Sequence, residues 1–155
     1  MKRWIWYGAA LLLVLAVGAE GFAGRDVGAF QPVQTLLVTR GDGRIRVETD
    51  TGEWGEGKTL REAFENMENT AAAEMFLDTA EYLLIGMDCE DLLGELMDRL
   101  RPSCSVCGAV GKVDPAQAGL YLRAHPPMRT LMEYRAGLRE IPVLIGDEGR
   151  VELVS

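Results

Sequence analysis

The chain has 155 residues, 48% of them apolar, with 24 acidic against 16 basic side chains and a net charge of −8. Its length suits one domain with appendages, and its apolar content is enough to bury a core. The acidic balance argues against nucleic acid as a partner and against electrostatic docking on anionic lipid, because both would repel such a surface.

The N-terminus carries the strongest local signal. Lys2 and Arg3 precede an uncharged run of sixteen residues, Trp4 to Ala19. Small residues follow, and Val17 with Ala19, or Gly21 with Ala23, has the spacing a signal peptidase reads. Residues 1–23 therefore have the layout of a secretory signal. The run is just short of the ~17–25 residues that span a bilayer, which leaves open a cleaved signal and a retained anchor. Trp4, Trp6 and Tyr7 at the basic end suit an interfacial aromatic belt and favour the anchor. Either way the chain from residue 24 onward is expected outside the cytoplasm, membrane-anchored or secreted. If the signal is retained, membrane association runs through residues 4–19.

Residues 24–33 lack periodicity, carry Gly and Pro, and read as a linker. VQTLLVTR and RIRVETD flank Gly41-Asp42-Gly43, which supplies positive-φ positions for a hairpin. The second of these strands alternates apolar and charged residues, so one face should meet water. TGEWGEG, 51–57, reads as a loop. Leu60, Ala63, Phe64 and Met67 then recur at helical spacing, with Thr59 and Glu62 at capping-box spacing. A short strand is expected around Leu83 to Ile85, ended by Gly86. Asp88 is expected to cap a helix through CEDLLGELMDRL, which Pro102 stops. CSVCGAVGKV reads as a strand. Asp114-Pro115 opens a helix that ends before His125-Pro126-Pro127. MRTLMEYRAGL makes a further helix, and IPVLIGDEGRVELV a terminal hairpin. The order β-β-α-β-α-β-α followed by a helix and a β-hairpin is that of an α/β domain with a mixed sheet, 34–126, continued by 127–155. Right-handed crossovers would lay its first two middle helices against the sheet.

Cys104 and Cys107 pose the main chemical question. An exchange-active CxxC pair needs its first cysteine exposed at a helix N-terminus, where the dipole lowers the thiol pKa. No amphipathic helix begins at either residue, and the nearest start is Asp114. On a strand the two side chains point to opposite faces, with Cα atoms ~10 Å apart. A disulfide needs less than ~7 Å. Packing is the leading reading of both. The tail LREIPVLIGDEGRVEL nevertheless resembles the proline-bearing strand and hairpin of thioredoxins, so an extracytoplasmic thiol–disulfide role through Cys104 and Cys107 stands as the alternative.

Cys89, Cys104, Cys107 and His125 make a nominal zinc set, but only the central pair has ligand spacing. His125 sits between a helix end and two prolines, where a solvated or capping role is expected. The acidic pairs Glu53 with Glu56, Glu90 with Asp91, and Asp147 with Glu148 read as solvated surface, and Asp42 as turn chemistry rather than a calcium ligand. There is no phosphate-cradling loop and no nucleophile with a nearby His. Neither catalysis nor a cofactor or metal is expected.

GKTLREAFENM, MFLDTAEYLLIG and LLGELMDRLRPSCSVCGAVGKVDPAQAGLYL together resemble the first domain of the Ger(x)C-type C subunits of spore germinant receptors. Gly57, Thr59, Glu62 and Ala63 match that family's "G-x-T-x-x-E-A" helix, and Leu83 to Gly86 its glycine-ended strand. Arg99 to Pro102 match its corner, and Cys104 to Val110 the strand that follows. The passage YRAGLREIPVLIGDEGRVEL is similar to the stretch where the family leaves its first domain. Residues 34–153 are covered. The chain departs from the family in having no cysteine near the end of the signal region, no tryptophan motif in GRDVGAFQPVQ, and Thr79 near the place of a common histidine. The resemblance implies a non-enzymatic, envelope-associated protein that acts in spore germination by binding, with membrane receptor subunits as its expected partners.

Overall fold

The computed structural model describes residues 30–127, 129–147 and 150–154, so the expected signal segment, 1–23, lies outside the described residues. The chain is a mixed α/β fold built on a seven-stranded sheet. In chain order its elements are β1 (Phe30–Pro32), β2 (Thr35–Gly41), β3 (Arg44–Thr49), β4 (Trp54–Gly57), α1 (Leu60–Thr70), β5 (Glu74–Phe76) and β6 (Tyr82–Gly86). They continue with α2 (Leu93–Leu96), β7 (Ser105–Gly111), α3 (Pro115–Ala124), α4 (Leu131–Arg135), β8 (Val143–Asp147) and β9 (Arg150–Val154).

The strands lie in the order β4-β3-β2-β6-β7-β8-β9, with β1 and β5 forming a separate parallel pair. The four central strands β2, β6, β7 and β8 are parallel to one another, while β3 and β4 on one side and β9 on the other are added antiparallel. Side-chain pattern explains these places. Leu36, Leu37 and Val38 in β2, and Leu83, Leu84 and Ile85 in β6, are uninterrupted apolar runs buried on both faces, as central parallel strands must be. In β3, Ile45, Val47 and Thr49 are buried and Arg44, Arg46 and Glu48 are not, so that strand has one open face. Asp42 and Gly43, at φ of 51° and 73°, make the tight β2–β3 turn that Gly-Asp-Gly signals.

Two core layers sandwich the sheet. On the first face Leu36, Val38, Leu83, Ile85 and Val106 meet Leu60, Phe64 and Met67 of α1, Leu93 and Leu96 of α2, and Leu131 and Tyr134 of α4. On the second, Leu37, Leu84, Cys107 and Ala109 meet Ala118 and Leu122 of α3. Each fully buried Leu, Phe or Met contributes about 1.5–3 kcal/mol. The steps from β2 to β6 and from β6 to β7 run the same way along the sheet, and crossovers of one hand then put α1 and α2 on one face.

The structure corrects four expectations. Residues 54–57 are not loop but strand β4, because Gly55 and Gly57 let the backbone of α1 lie directly on it; a Cβ on Gly57 would stand 2.5 Å from the Ala63 nitrogen. The linker ends early, since Phe30–Pro32 pairs with Glu74–Phe76. The helix expected through 89–100 shrinks to a 3-10 turn, Glu90–Leu92, and one α-turn, Leu93–Leu96. Gly94 at its centre weakens it by about 1 kcal/mol relative to alanine, and Asp88 caps neither piece. Finally, the division drawn between 34–126 and 127–155 does not separate two cores. β8 pairs with β7, and Leu131, Tyr134 and Leu144 belong to the two core layers.

Candidate functional site

Cys104 immediately precedes β7 and packs in the first core layer with Val106, whereas Cys107 packs in the second with Ala109. Alternation along the strand thus sends the two sulfurs to opposite sides of the sheet. Both residues are fully buried, and desolvation of the thiolate pushes each thiol up to about 12. A thiol that stays protonated and covered at neutral pH is a poor nucleophile, so neither sulfur is placed for exchange. Cys89 is likewise buried, follows the carboxyl end of β6, and is pushed up to about 12 by burial and then by Asp88.

The nominal zinc set is not brought together. Cys89 and Cys104 follow and precede the strands of one layer, Cys107 lies in the other, and His125 is exposed at the C-cap of α3. Among the described residues no group of three or more His, Cys, Asp or Glu is placed to hold a metal ion. The His125 ring stacks on Tyr121 with centroids 4.5 Å apart, and its Nδ1 lies 3.2 Å from the Tyr121 carbonyl. Of the acidic residues singled out from sequence, Glu56 binds Arg46 at 3.0 Å and Asp91 binds Arg40 at 2.9 Å, both near the surface. Asp42 sits in its turn.

One concave feature that sequence reasoning missed lies at the amino-end rim of the parallel strands. A cavity of about 380 Å³ is lined by His125, Pro126, Arg129, Glu140, Ile141, Pro142 and Leu153. Its walls are apolar, and its polar groups come from the chain entering and leaving α4. Arg129 Nε donates to the Glu140 carbonyl at 3.0 Å, which ties the segment after α3 to the segment before β8. The Leu153 amide donates to the Tyr121 hydroxyl at 3.2 Å and fixes the floor against α3. Such a pocket suits an apolar group with a polar edge. No serine, threonine, cysteine or lysine is among its lining residues. His125-Pro126 and Ile141-Pro142 were its traces in the sequence, but each pair reads locally as the end of one element or the start of another.

The residues behind the family resemblance serve the scaffold. Thr59 Oγ1 accepts the Glu62 amide at 3.2 Å and Glu62 accepts the Lys58 amide at 2.8 Å, closing the N-terminus of α1. Gly57 makes room for Ala63. Arg99 lies over the Phe64 ring at 4.8 Å, Arg101 donates to the Ala80 carbonyl at 2.9 Å, and the Pro102 carbonyl accepts the Met132 amide at 3.0 Å. They join α1, β6, β7 and α4 around one core.

No family model, curated protein or solved structure matches the chain.

Proposed function

We propose that this chain is an exported, non-enzymatic α/β module that binds a protein partner at the cell envelope, as its resemblance to the first domain of a germinant-receptor C subunit implies. One observation carries this reading. Gly57, Thr59, Glu62, Ala63 and Arg99 to Pro102, the residues that make up the resemblance, close caps and packing around the core, and the cavity at the amino-end rim is walled by prolines and aliphatic side chains. A scaffold that presents an apolar recess can receive an anchoring side chain of another protein. The reading places the protein outside the cytoplasm, held through residues 4–19 if they are retained, beside a membrane receptor subunit.

The test is a tagged full-length chain expressed in its own cells, crosslinked and purified from detergent-solubilised envelope. The protein is expected in the envelope fraction, co-purifying with an integral membrane protein, and Ile141→Glu at the cavity wall is expected to weaken that association at least tenfold. Recovery from the cytoplasm, or from the envelope with no partner, would sink the proposal.

A further inference from the structure

The sheet ends on one side at β4, and that margin carries a groove of about 440 Å³. Its volume lies within the ~300–1,000 Å³ of small-molecule sites. Glu53, Trp54 and Glu56 line it together with Asn66 and Thr70 of α1 and Arg44 of β3. Gly55 and Gly57 turn towards α1, so alternation along β4 sends Trp54 and Glu56 to the open face of the sheet.

Trp54 is 50% exposed, yet it is held in place. The Arg46 guanidinium carbon lies 4.4 Å from the centre of the indole, and Arg46 is itself fixed by Glu48 at 2.7 Å and Glu56 at 3.0 Å. Strand pairing sets this up, because Arg46 stands opposite Glu56 and Glu48 opposite Trp54. Arg46 is not among the residues that line the groove, so the indole offers the groove the surface that Arg46 leaves open. An apolar plate is thus positioned before any ligand arrives, which lowers the cost of binding on it.

The polar atoms around the plate are mostly acceptors. Asn66 commits its Nδ2 to the Glu56 carbonyl at 2.7 Å, and the Thr70 hydroxyl donates to the Asn66 carbonyl at 3.0 Å. A ligand therefore meets the Asn66 Oδ1, the Glu56 oxygen that Arg46 does not bind and the Glu53 carboxylate, with Arg44 as the donor.

This chemistry chooses among occupants. Two carboxylates beside the plate disfavour an anion. Arg46 already uses one face of the indole, the one aromatic ring lining the groove, and Arg44 adds a second positive charge, so a cation is disfavoured too. A wholly apolar ligand would desolvate the carboxylates without pairing them. An added peptide strand would need the Glu56 carbonyl that Asn66 holds. A neutral ring with a C–H face and hydroxyls round its rim meets every requirement. Its weakly positive C–H hydrogens pack on the negative face of the indole. Its hydroxyls donate to the carboxylates and Asn66 and accept from Arg44.

We propose that the groove between β4 and α1 binds a saccharide, with Trp54 as the stacking platform, Glu53, Glu56 and Asn66 accepting from ring hydroxyls, and Arg46 positioning the platform. The ligand class is a neutral β-linked glycan, whose equatorial linkages keep flat C–H faces exposed along the chain. The site stands apart from the envelope reading and needs only the fold.

Trp4 and Trp6 are the other two tryptophans, so the full chain carrying Trp4→Phe and Trp6→Phe reports on Trp54 alone. In a detergent without a sugar headgroup, cellotetraose or chitotetraose is expected to shift its emission saturably and to bind in calorimetric titration. Maltotetraose, whose α-linkages curve the chain, should bind distinctly more weakly. Trp54→Ala should weaken calorimetric binding about tenfold or more, and Glu53→Gln about threefold. Arg46→Met should lower both the affinity and the fluorescence anisotropy of Trp54 in the free protein, and Arg46→Lys, which keeps a cation over the ring, should recover part of each. Unchanged circular dichroism and urea midpoint would show that each variant is folded. The proposal is overturned if the folded chain binds none of these sugars, if maltotetraose binds as well as the β-linked ones, or if Trp54→Ala binds like the parent. It is also overturned if Trp54 responds to an oligoproline peptide and to no sugar, which would assign the groove to a protein partner. Absence of the protein from the envelope fraction of cells would count against the envelope reading alone.

Discussion

Gly119 of α3 lies directly against Thr35 of β2: a Cβ on Gly119 would overlap the Thr35 hydroxyl oxygen. Thr35 is fully buried, and its hydroxyl has no hydrogen-bond partner among the described residues. The helix thus approaches the sheet as closely as a hydrogen atom permits. Gly119→Ala is expected to cost about 1–3 kcal/mol through overpacking. In a Thr35→Ala background the same change should cost at least about 1 kcal/mol less, because the obstructing hydroxyl is gone. Urea unfolding of the four proteins of this cycle measures the coupling, and additive effects would refute direct contact.

A second glycine comparison tests the reassignment of residues 54–57. Gly55 and Gly57 have α1 backbone where a Cβ would go, whereas Gly94 of α2 has nothing within 4 Å. Gly57→Ala is expected to lose about 1–3 kcal/mol or more. Gly94→Ala is expected to gain about 0.5–1 kcal/mol by favouring the helix. Shifts of the thermal midpoint in opposite directions are the required result.

The buried thiols set a pH limit. Cys104 and Cys107 are pushed up to about 12 in the fold, while a thiol in the unfolded chain titrates near ~8.5. Their stabilising contribution is fully present below the unfolded value. It is lost as pH rises towards the folded one, because there the unfolded chain releases protons that the folded chain keeps. Stability should fall by up to about 1.4 kcal/mol per pH unit per thiol above about pH 8.5. Urea midpoints from about pH 8 to about pH 10.5 would show it, and Cys107→Ala should flatten the slope. A thiol reagent at about pH 8 should modify neither residue until the protein is unfolded.

Caps offer a fourth test. Asp114 accepts the Gln117 amide at 2.9 Å at the start of α3, while the Asp88 side chain caps no helix. Asp114→Ala should cost about 1 kcal/mol, and Asp88→Ala distinctly less. Equal losses would mean that Asp88 has the capping role its sequence position suggests.

These residues also mark where sequence reasoning reaches. Asp114-Pro115, Thr59 with Glu62, and Gly41-Asp42-Gly43 were legible because their chemistry is local; each acts on amides within a few residues. Leu83 to Ile85 was legible because an unbroken apolar run must be buried on both sides. β4 was not, because WGEG resembles a turn until α1 is laid across it and its glycines become clearance. The Asp88 helix was overread, since a capping residue before periodic leucines does not reveal that the chain takes only one α-turn around Gly94. The rim cavity was hidden for a similar reason, as Pro126, Arg129, Ile141 and Leu153 come from separate segments that only tertiary pairing brings together.

Tyr121 also bears on how whole chains meet. Its hydroxyl takes up the Leu153 amide of the outermost strand β9, which also presents Arg150 and Glu152. At the opposite margin β4 is four residues long, contains two glycines and is covered by α1. Both ends of the sheet are therefore poor templates for another strand. Chains crowded at high local concentration should not stitch themselves together by continuing one another's sheets, which leaves recognition to side chains at the rim.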